Sequence, residues 1–238
     1  MLEFTLAMTG IDDFTLDQEC SRLHNKVRDM GGIFSTLVIN NDVYFLIASK
    51  ENEDLILEEI TRTVINSVKS FKTSFVKNHI NFKTKNRMKL SALVKALVNF
   101  DSQSDAKVIR YKLQLKNELN LYSFYQFRLG DLRDKWSQLV DITNQNIGYL
   151  GLDETYIDIV RFLVDGIAVG EELKASMQDR VVSFYNKNDE LLKEYSFDME
   201  RFMDELISHN PSKLTIHGFS GDINEFLMQL FADRVKIS

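Results

Sequence analysis

A single proline, Pro211, punctuates 238 residues, where average usage of about 5% supplies roughly a dozen in a chain this long. Proline stops helices because it lacks a main-chain donor and its ring clashes with the preceding turn. A chain so nearly free of it has no proline-rich linker and can run its helices long. The stretch LNLYSFYQFRLGDLRDKW, residues 119–136, is where this matters most. At the helical repeat, Tyr125, Leu129, Leu132, Trp136, Leu139 and Ile147 fall on one stripe held for about six turns, and Tyr122 joins it. Phe124 and Phe127 fall on other sides. The pattern predicts one helix that starts inside the protein, emerges along its surface, and ends between Gly148 and Gly151. On that reading Phe127 belongs to the core, and Phe127→Ala should cost about 3–5 kcal/mol.

Upstream, Leu2, Phe4 and Leu6 alternate with polar residues as in a half-buried strand. Thr15 opens a helix carrying Leu16, Cys20, Leu23 and Val27, with Asp17 and Glu19 suited to the positive end of its dipole. Gly31-Gly32 closes it. Two strands, 33–39 and 43–48, flank the turn residues Asn40-Asn41-Asp42, and a helix follows over 52–69. Residues 70–84 admit two readings. Phe75, Val76, Ile80 and Phe82 could form a fourth strand, completing a ferredoxin-like βαββαβ unit, or they could prolong the helix. The strand is the preferred reading.

Leu90, Leu93, Val94, Leu97 and Val98 mark an amphipathic helix ending near Phe100. Residues 108–119 fit either a strand or a helix, with helix preferred because most are good helix formers. Beyond the long helix, another begins at Asp153 and carries Tyr156, Ile157, Val160, Leu163 and Val164. Val182 to Phe197 reads as a hairpin around Asn186-Lys187-Asn188-Asp189, and Asp198 caps a helix closed by Asn210-Pro211. A strand at 214–216, a helix at 223–231 and a strand at 235–237 complete a β-α-β unit with parallel strands. The fold class is α+β. The expected division is an α/β unit over 1–84, a helical middle over 85–170 and a ββαβαβ unit over 171–238, with 85–238 as one domain in the alternative.

Charge is segregated. The net −6 conceals a run from Glu59 to Asp101 with nine cations and no acid between, which leaves −15 on the remainder. Lys69, Lys72, Lys77, Lys83, Lys85, Arg87 and Lys89 are its central members. They form either a basic face for nucleic acid or an anionic membrane, or a patch neutralised by the acidic C-terminal part. Phe71, Phe75 and Phe82 lie among them where a core would need rings. Cys20 is the only cysteine, so no intrachain disulfide or zinc-thiolate site is expected. No apolar run approaches the ~20 residues of a membrane span, and the first residues lack the pattern of a signal peptide. A reduced, cytoplasmic protein is the expectation.

Few residues invite chemistry. His24, His79, His209 and His217 lack metal-ligand spacing, and no phosphate loop or nucleophile elbow occurs. No cofactor is expected. Cys20 on its apolar stripe reads as an inert thiol. His217-Gly218-Phe219-Ser220-Gly221 follows a strand and enters a helix, a position where His217 and Ser220 could hold an anion. The plainer reading is a helix cap and a surface histidine. Arg128 is either an arginine stacked on Phe124 and paired with Asp131, or an anion-binding residue.

The run from Leu119-Asn120-Leu121 through Phe124, Phe127-Arg128-Leu129 and Asp131 resembles sporulation proteins of the YtxC type from spore-forming Firmicutes. Arg161-Phe162-Leu163-Val164-Asp165, Ser212-Lys213-Leu214-Thr215-Ile216-His217 and Phe231-Ala232-Asp233-Arg234-Val235 agree with it. The resemblance covers about residues 105–238. It implies a role linked to sporulation and supplies no catalytic residues. The expected function is therefore a sporulation-associated, non-enzymatic protein acting through an unknown protein partner. The alternatives are a binder of nucleic acid or anionic membrane through residues 62–95, and a small-molecule enzyme built on the 217–221 loop.

Overall fold

A computed structural model of the chain describes residues 1–40, 42–146 and 153–238. Asn41 of the expected hairpin turn lies outside them, as do Ile147, Gly148 and Gly151 at the expected helix end. In chain order the elements are β1 (Leu2–Ala7), α1 (Asp13–Asp29), β2 (Ile33–Ile39), β3 (Asp42–Ser49), α2 (Glu53–His79), α3 (Arg87–Asn99), α4 (Ser102–Lys112) and β4 (Glu118–Asn120). Then come α5 (Leu121–Arg128), α6 (Gly130–Gln145), α7 (Asp153–Asp165), β5 (Leu173–Gln178), β6 (Val181–Asn186) and β7 (Leu191–Ser196). The last are α8 (Met199–His209), β8 (Leu214–His217), α9 (Gly221–Phe231) and β9 (Val235–Ile237). The class is α+β, as expected. The chain divides into two units, and neither is continuous in sequence. The first comprises Met1–Phe75 and Gln103–Gln138, the second Val76–Ser102 and Leu139–Ser238. The expected helical middle, 85–170, is thus shared between them.

In the first unit, α1 begins one turn before the expected cap, because the Asp12 side chain accepts from the Thr15 N–H at 2.9 Å. It ends where expected, with Gly31 at φ +77° and the Gly32 N–H donating to the Val27 carbonyl at 2.9 Å. Arg22 ties α1 to α2. Its guanidinium donates to the buried Glu19 at 2.9 Å, to Thr63 Oγ1 at 2.7 Å and to Glu59.

Residues 70–79 are not a strand. They prolong α2 to 27 residues, because Val64, Val68 and Phe71 keep the helical spacing of the first unit's core, Val76 is buried beyond them, and no proline intervenes. The sheet has the order β2-β3-β1-β4, so its fourth strand comes from residues 118–120 instead. That is the strand order of a βαββαβ unit with one direction reversed. A single crossover from β3 would make the fourth strand parallel to β3 and so antiparallel to β1. Here the chain returns through the second unit and α4, and β4 runs parallel to β1.

The expected long helix is two helices, broken at Leu129 (φ −105°, ψ 29°) just before Gly130. The apolar stripe survives the break, and Tyr125, Leu129, Leu132 and Trp136 are all buried. Phe71 stacks on Tyr125 with ring centroids 4.6 Å apart, and Tyr122 covers Gly10 from the half-exposed side. Behind this stripe a carboxylate is buried. Asp105 of α4 accepts from Lys72 of α2 at 2.8 Å and from Trp136 Nε1 of α6 at 3.0 Å, all three being 5% exposed or less.

In the second unit α3 is buried almost all round against α7 and α8. Tyr156 of α7 is fully buried, stacks on Phe82 and donates its hydroxyl to the Lys89 carbonyl at 2.6 Å. The sheet order is β7-β6-β5-β8-β9, with β5, β8 and β9 parallel. This is βββαβαβ, one strand more than expected. β5 and β6 join through Asp179 and Arg180, both at positive φ, a turn made without the glycine that usually signals it. Asn210 closes α8 in the left-handed region at φ 41° and is fully buried. Its amide donates to the Val164 and Ile167 carbonyls at 3.1 and 2.9 Å, and its oxygen accepts from Arg234 at 2.8 Å.

One expectation about the core is overturned. Phe127 is 84% exposed whereas Phe124 is 5% exposed. The break at Leu129 confines Phe127 to a two-turn helix and leaves its ring exposed at the edge of a hollow. Phe127→Ala is therefore expected to change stability by less than about 0.5 kcal/mol, and Phe124→Ala to cost about 3–5 kcal/mol. Urea denaturation of both variants measures this, and equal losses would refute the burial assignment.

Candidate functional site

The sheet of the first unit has one covered face and one open face. Strand alternation sends Phe4, Leu6, Phe45 and Ile47 inward among α1 and α2, where all are buried. The opposite residues, Glu3, Thr5, Ser35, Tyr44 and Leu46, face outward and remain at least partly accessible. Antiparallel sheets commonly leave one face to water, but such a face is normally polar. Here it carries Ile33, Leu37 and Ile39, exposed by 71%, 44% and 47%.

Two hollows mark this face. One, of about 740 Å³, lies over Thr5, Ser35, Leu46 and Ala48. The other, of about 450 Å³, lies at the carboxyl ends of β1 and β4, bounded by Tyr44, Lys112, Asn120, Ser123, Phe127 and Arg128. β4 runs straight into α5, and the Asn120 side chain caps that helix by accepting from the Ser123 N–H at 2.8 Å. The cap sets the direction in which α5 leaves the sheet, and so places Phe127 and Arg128 at the rim.

Arg128 is exposed and has no ion-pair partner among the described residues. The expected pairing with Asp131 does not form, because the break at Leu129 takes the two off a common helical spacing. Asp131 pairs instead with Lys112, and that ammonium holds its carboxyl below the ordinary 3.8. The rim thus combines one neutralised cation, one free cation and a bare aromatic ring. The sequence pattern places Phe127 in the core and makes 33–39 a strand without saying which of its faces is covered. The available signal was that IFSTLVI is apolar on both of its faces.

The basic run is shared between the two units. Arg62, Lys69 and Lys72 belong to the first unit and the rest to the second. Lys72 is buried on Asp105, Arg62 pairs with Glu59, Lys77 with Glu200 and Lys95 with Asp204. Lys89 lies over the Tyr156 ring. Lys83, Lys85 and Arg87 are exposed without an ion pair among the described residues. Arg87 borders a groove of about 670 Å³ whose walls include Leu90, Val94, Phe197 and Met199.

His217 and Ser220 stand in the second unit, Arg128 in the first. His217 Nδ1 lies 2.7 Å from the Ser238 main-chain oxygen, which orients the ring. Ser220 occupies the N-cap position of α9 with no side-chain cap bond. Between them Phe219 is buried and stacks on Phe202 at 4.8 Å, and Gly218 presses so closely on the Met177 carbonyl that a Cβ would sit 2.2 Å from it. The loop is filled by its own Phe219 side chain. Cys20 is half-buried, and burial pushes its thiol up, away from nucleophilic use. No group of three or more His, Cys, Asp or Glu fit to hold a metal occurs among the described residues, and none of their helices is long and apolar enough to cross a membrane.

The Lys112–Asp131 pair gives a direct check of the rim. Followed by NMR, the Asp131 side-chain carboxyl should titrate with a midpoint below 3.8 and move up towards that value in Lys112→Met. As pH falls through the folded midpoint the pair is lost and Lys112 becomes a second free cation at the hollow. An unchanged midpoint in the variant would show that the pair does not form. No protein-family model matches the chain, and no curated protein or solved structure matches it either.

Proposed function

We propose that this chain is a sporulation-associated, non-enzymatic interaction protein that docks a partner on the open face of its first sheet. The observation that carries the docking is the pair Phe127–Arg128, an aromatic ring 84% exposed beside an unpaired arginine at the rim of a 450 Å³ hollow. Aromatic rings and arginines dominate the energy of protein interfaces because they bury large area at low conformational cost and hydrogen-bond through a planar fork. The partner that fits is a polypeptide segment offering an apolar side chain to Phe127 and a carboxylate to Arg128. The link to sporulation rests on the resemblance of residues 105–238 to proteins of the YtxC type.

The reading as a binder of nucleic acid or membrane is weaker on magnitude. Three unpaired cations, Lys83, Lys85 and Arg87, at about 1 kcal/mol each near an anionic surface supply about 3 kcal/mol. Micromolar binding needs about 8 kcal/mol.

Because Phe127 and Arg128 are exposed, changing them separates function from folding. In a spore-forming host carrying this chain, Phe127→Ala combined with Arg128→Glu should lower the yield of heat-resistant spores at least tenfold. The melting temperature and cellular level of the protein should remain those of the parent. Parental spore yield from the double variant would overturn the proposal.

A further inference from the structure

We propose that two copies of this chain pair through β2, forming one continuous eight-stranded sheet across a two-fold axis at Thr36. The edge is free. β2 is the outer strand of the order β2-β3-β1-β4 and is hydrogen-bonded on one side only, to β3. Which main-chain groups it offers follows from the register. The Met8 N–H donates to the Val43 carbonyl at 2.8 Å, continuing the pairs Leu6↔Phe45 and Phe4↔Ile47. In an antiparallel ladder bonded and non-bonded pairs alternate, so odd residues of β3 face β1 and even residues face β2. The bonded pairs of β2 with β3 are then Ile33↔Ala48, Ser35↔Leu46, Leu37↔Tyr44 and Ile39↔Asp42. Phe34, Thr36 and Val38 point their N–H and C=O groups away from the sheet.

Those three residues are self-complementary. In an antiparallel pair centred on Thr36, Phe34 meets Val38 of the other copy, Thr36 meets Thr36, and every outward donor finds an outward acceptor. On the open face Ile33 meets Ile39 and Ser35 meets Leu37. Apolar and hydroxyl pairs of this kind favour the ladder.

Charge selects the same occupant. No charged residue lies between Ile33 and Ile39, so the homotypic pair opposes no like charges. Natural edge strands avoid such pairing with lysine, proline or a bulge, and β2 has none of them. Its exposed side chains include Ile33 at 71% and Val38 at 64%, which an isologous contact would cover from both copies at once. This edge lies across the sheet from the Phe127–Arg128 rim, so the dimer stands or falls independently of the partner proposed there.

The test is sedimentation equilibrium of the full chain from about 5 to 300 μM, because a strand pair alone is small beside the ~1,200 Å² of a tight interface. The expected result is a reversible dimer with a Kd in the micromolar range. Thr36→Pro removes an outward N–H and no bond to β3, so it should abolish the dimer at 300 μM while leaving the far-ultraviolet circular dichroism unchanged. Leu37→Lys places like charges on the open face and should also abolish it, which keeps the test intact if the proline variant does not fold. In a Cys20→Ser background, Thr36→Cys should cross-link to itself on mild oxidation, since a bonded antiparallel pair holds its Cα atoms about 5.5 Å apart. Val38→Cys in the same background should not. A monomer at 300 μM, a dimer that survives Leu37→Lys, or equal cross-linking at both positions would overturn the proposal.

Discussion

The first unit depends on one buried carboxylate. Asp105 receives the Lys72 ammonium at 2.8 Å and the Trp136 indole N–H at 3.0 Å, with Lys135 further out at 3.4 Å. Lys72 also lies over the Trp136 ring, 5.6 Å from its centroid. Three helices distant in sequence, α2, α4 and α6, are thereby joined at one point. A buried ion pair adds little over a well-packed apolar substitute, because desolvation offsets most of its attraction. What it does provide is position, since removing one partner strands the other charge in the core. The docking of α4 brings residues 113–117 back to the sheet, where the Thr5 N–H donates to the Asn117 carbonyl at 2.9 Å and β4 joins β1. From β4 the chain enters α5 and delivers Phe127 and Arg128 to the rim.

The open sheet face is thus a product of how the chain is threaded. A direct βαββαβ connection would have closed the sheet with an antiparallel strand and no α5 at its end. The excursion through the second unit returns β4 parallel to β1, and the carboxyl ends of two parallel strands meet a helix start there. Such crevices are the usual seats of ligands in sheets with parallel strands. Here the seat carries an aromatic ring and a guanidinium, the pair on which the proposed docking rests.

Much of this was legible in the residues. Alternation gave β1, glycines closed α1, and helical spacing gave α3 and the stripe from Tyr125 to Trp136. The errors share a cause. Local pattern says which residues want burial and says nothing of what covers them. Phe75, Val76, Ile80 and Phe82 fit a strand or a longer helix, with the strand preferred because it completes a βαββαβ unit, and the strand that fills that place is Glu118–Asn120, three residues long. Phe127 belongs to the core only if the helix is unbroken, and the helix breaks at Leu129, just before Gly130. The candidate site was hidden for the same reason, since its apolar residues on β2 look in sequence like any buried strand. Cys20 reads as an inert thiol, and His217 with Ser220 as either a helix cap and surface histidine or an anion site; the ring of Phe219 lies buried between those two.

The account stands on Asp105, Lys72 and Trp136 acting as one buried unit, and a double-mutant cycle in urea denaturation tests it most directly. Lys72→Met and Asp105→Leu should each cost about 3–5 kcal/mol alone, because each strands the opposite charge. The double variant should cost at least about 2 kcal/mol less than the sum of the singles. Strictly additive losses would contradict the account, because they would mean that the two charges do not meet in the core.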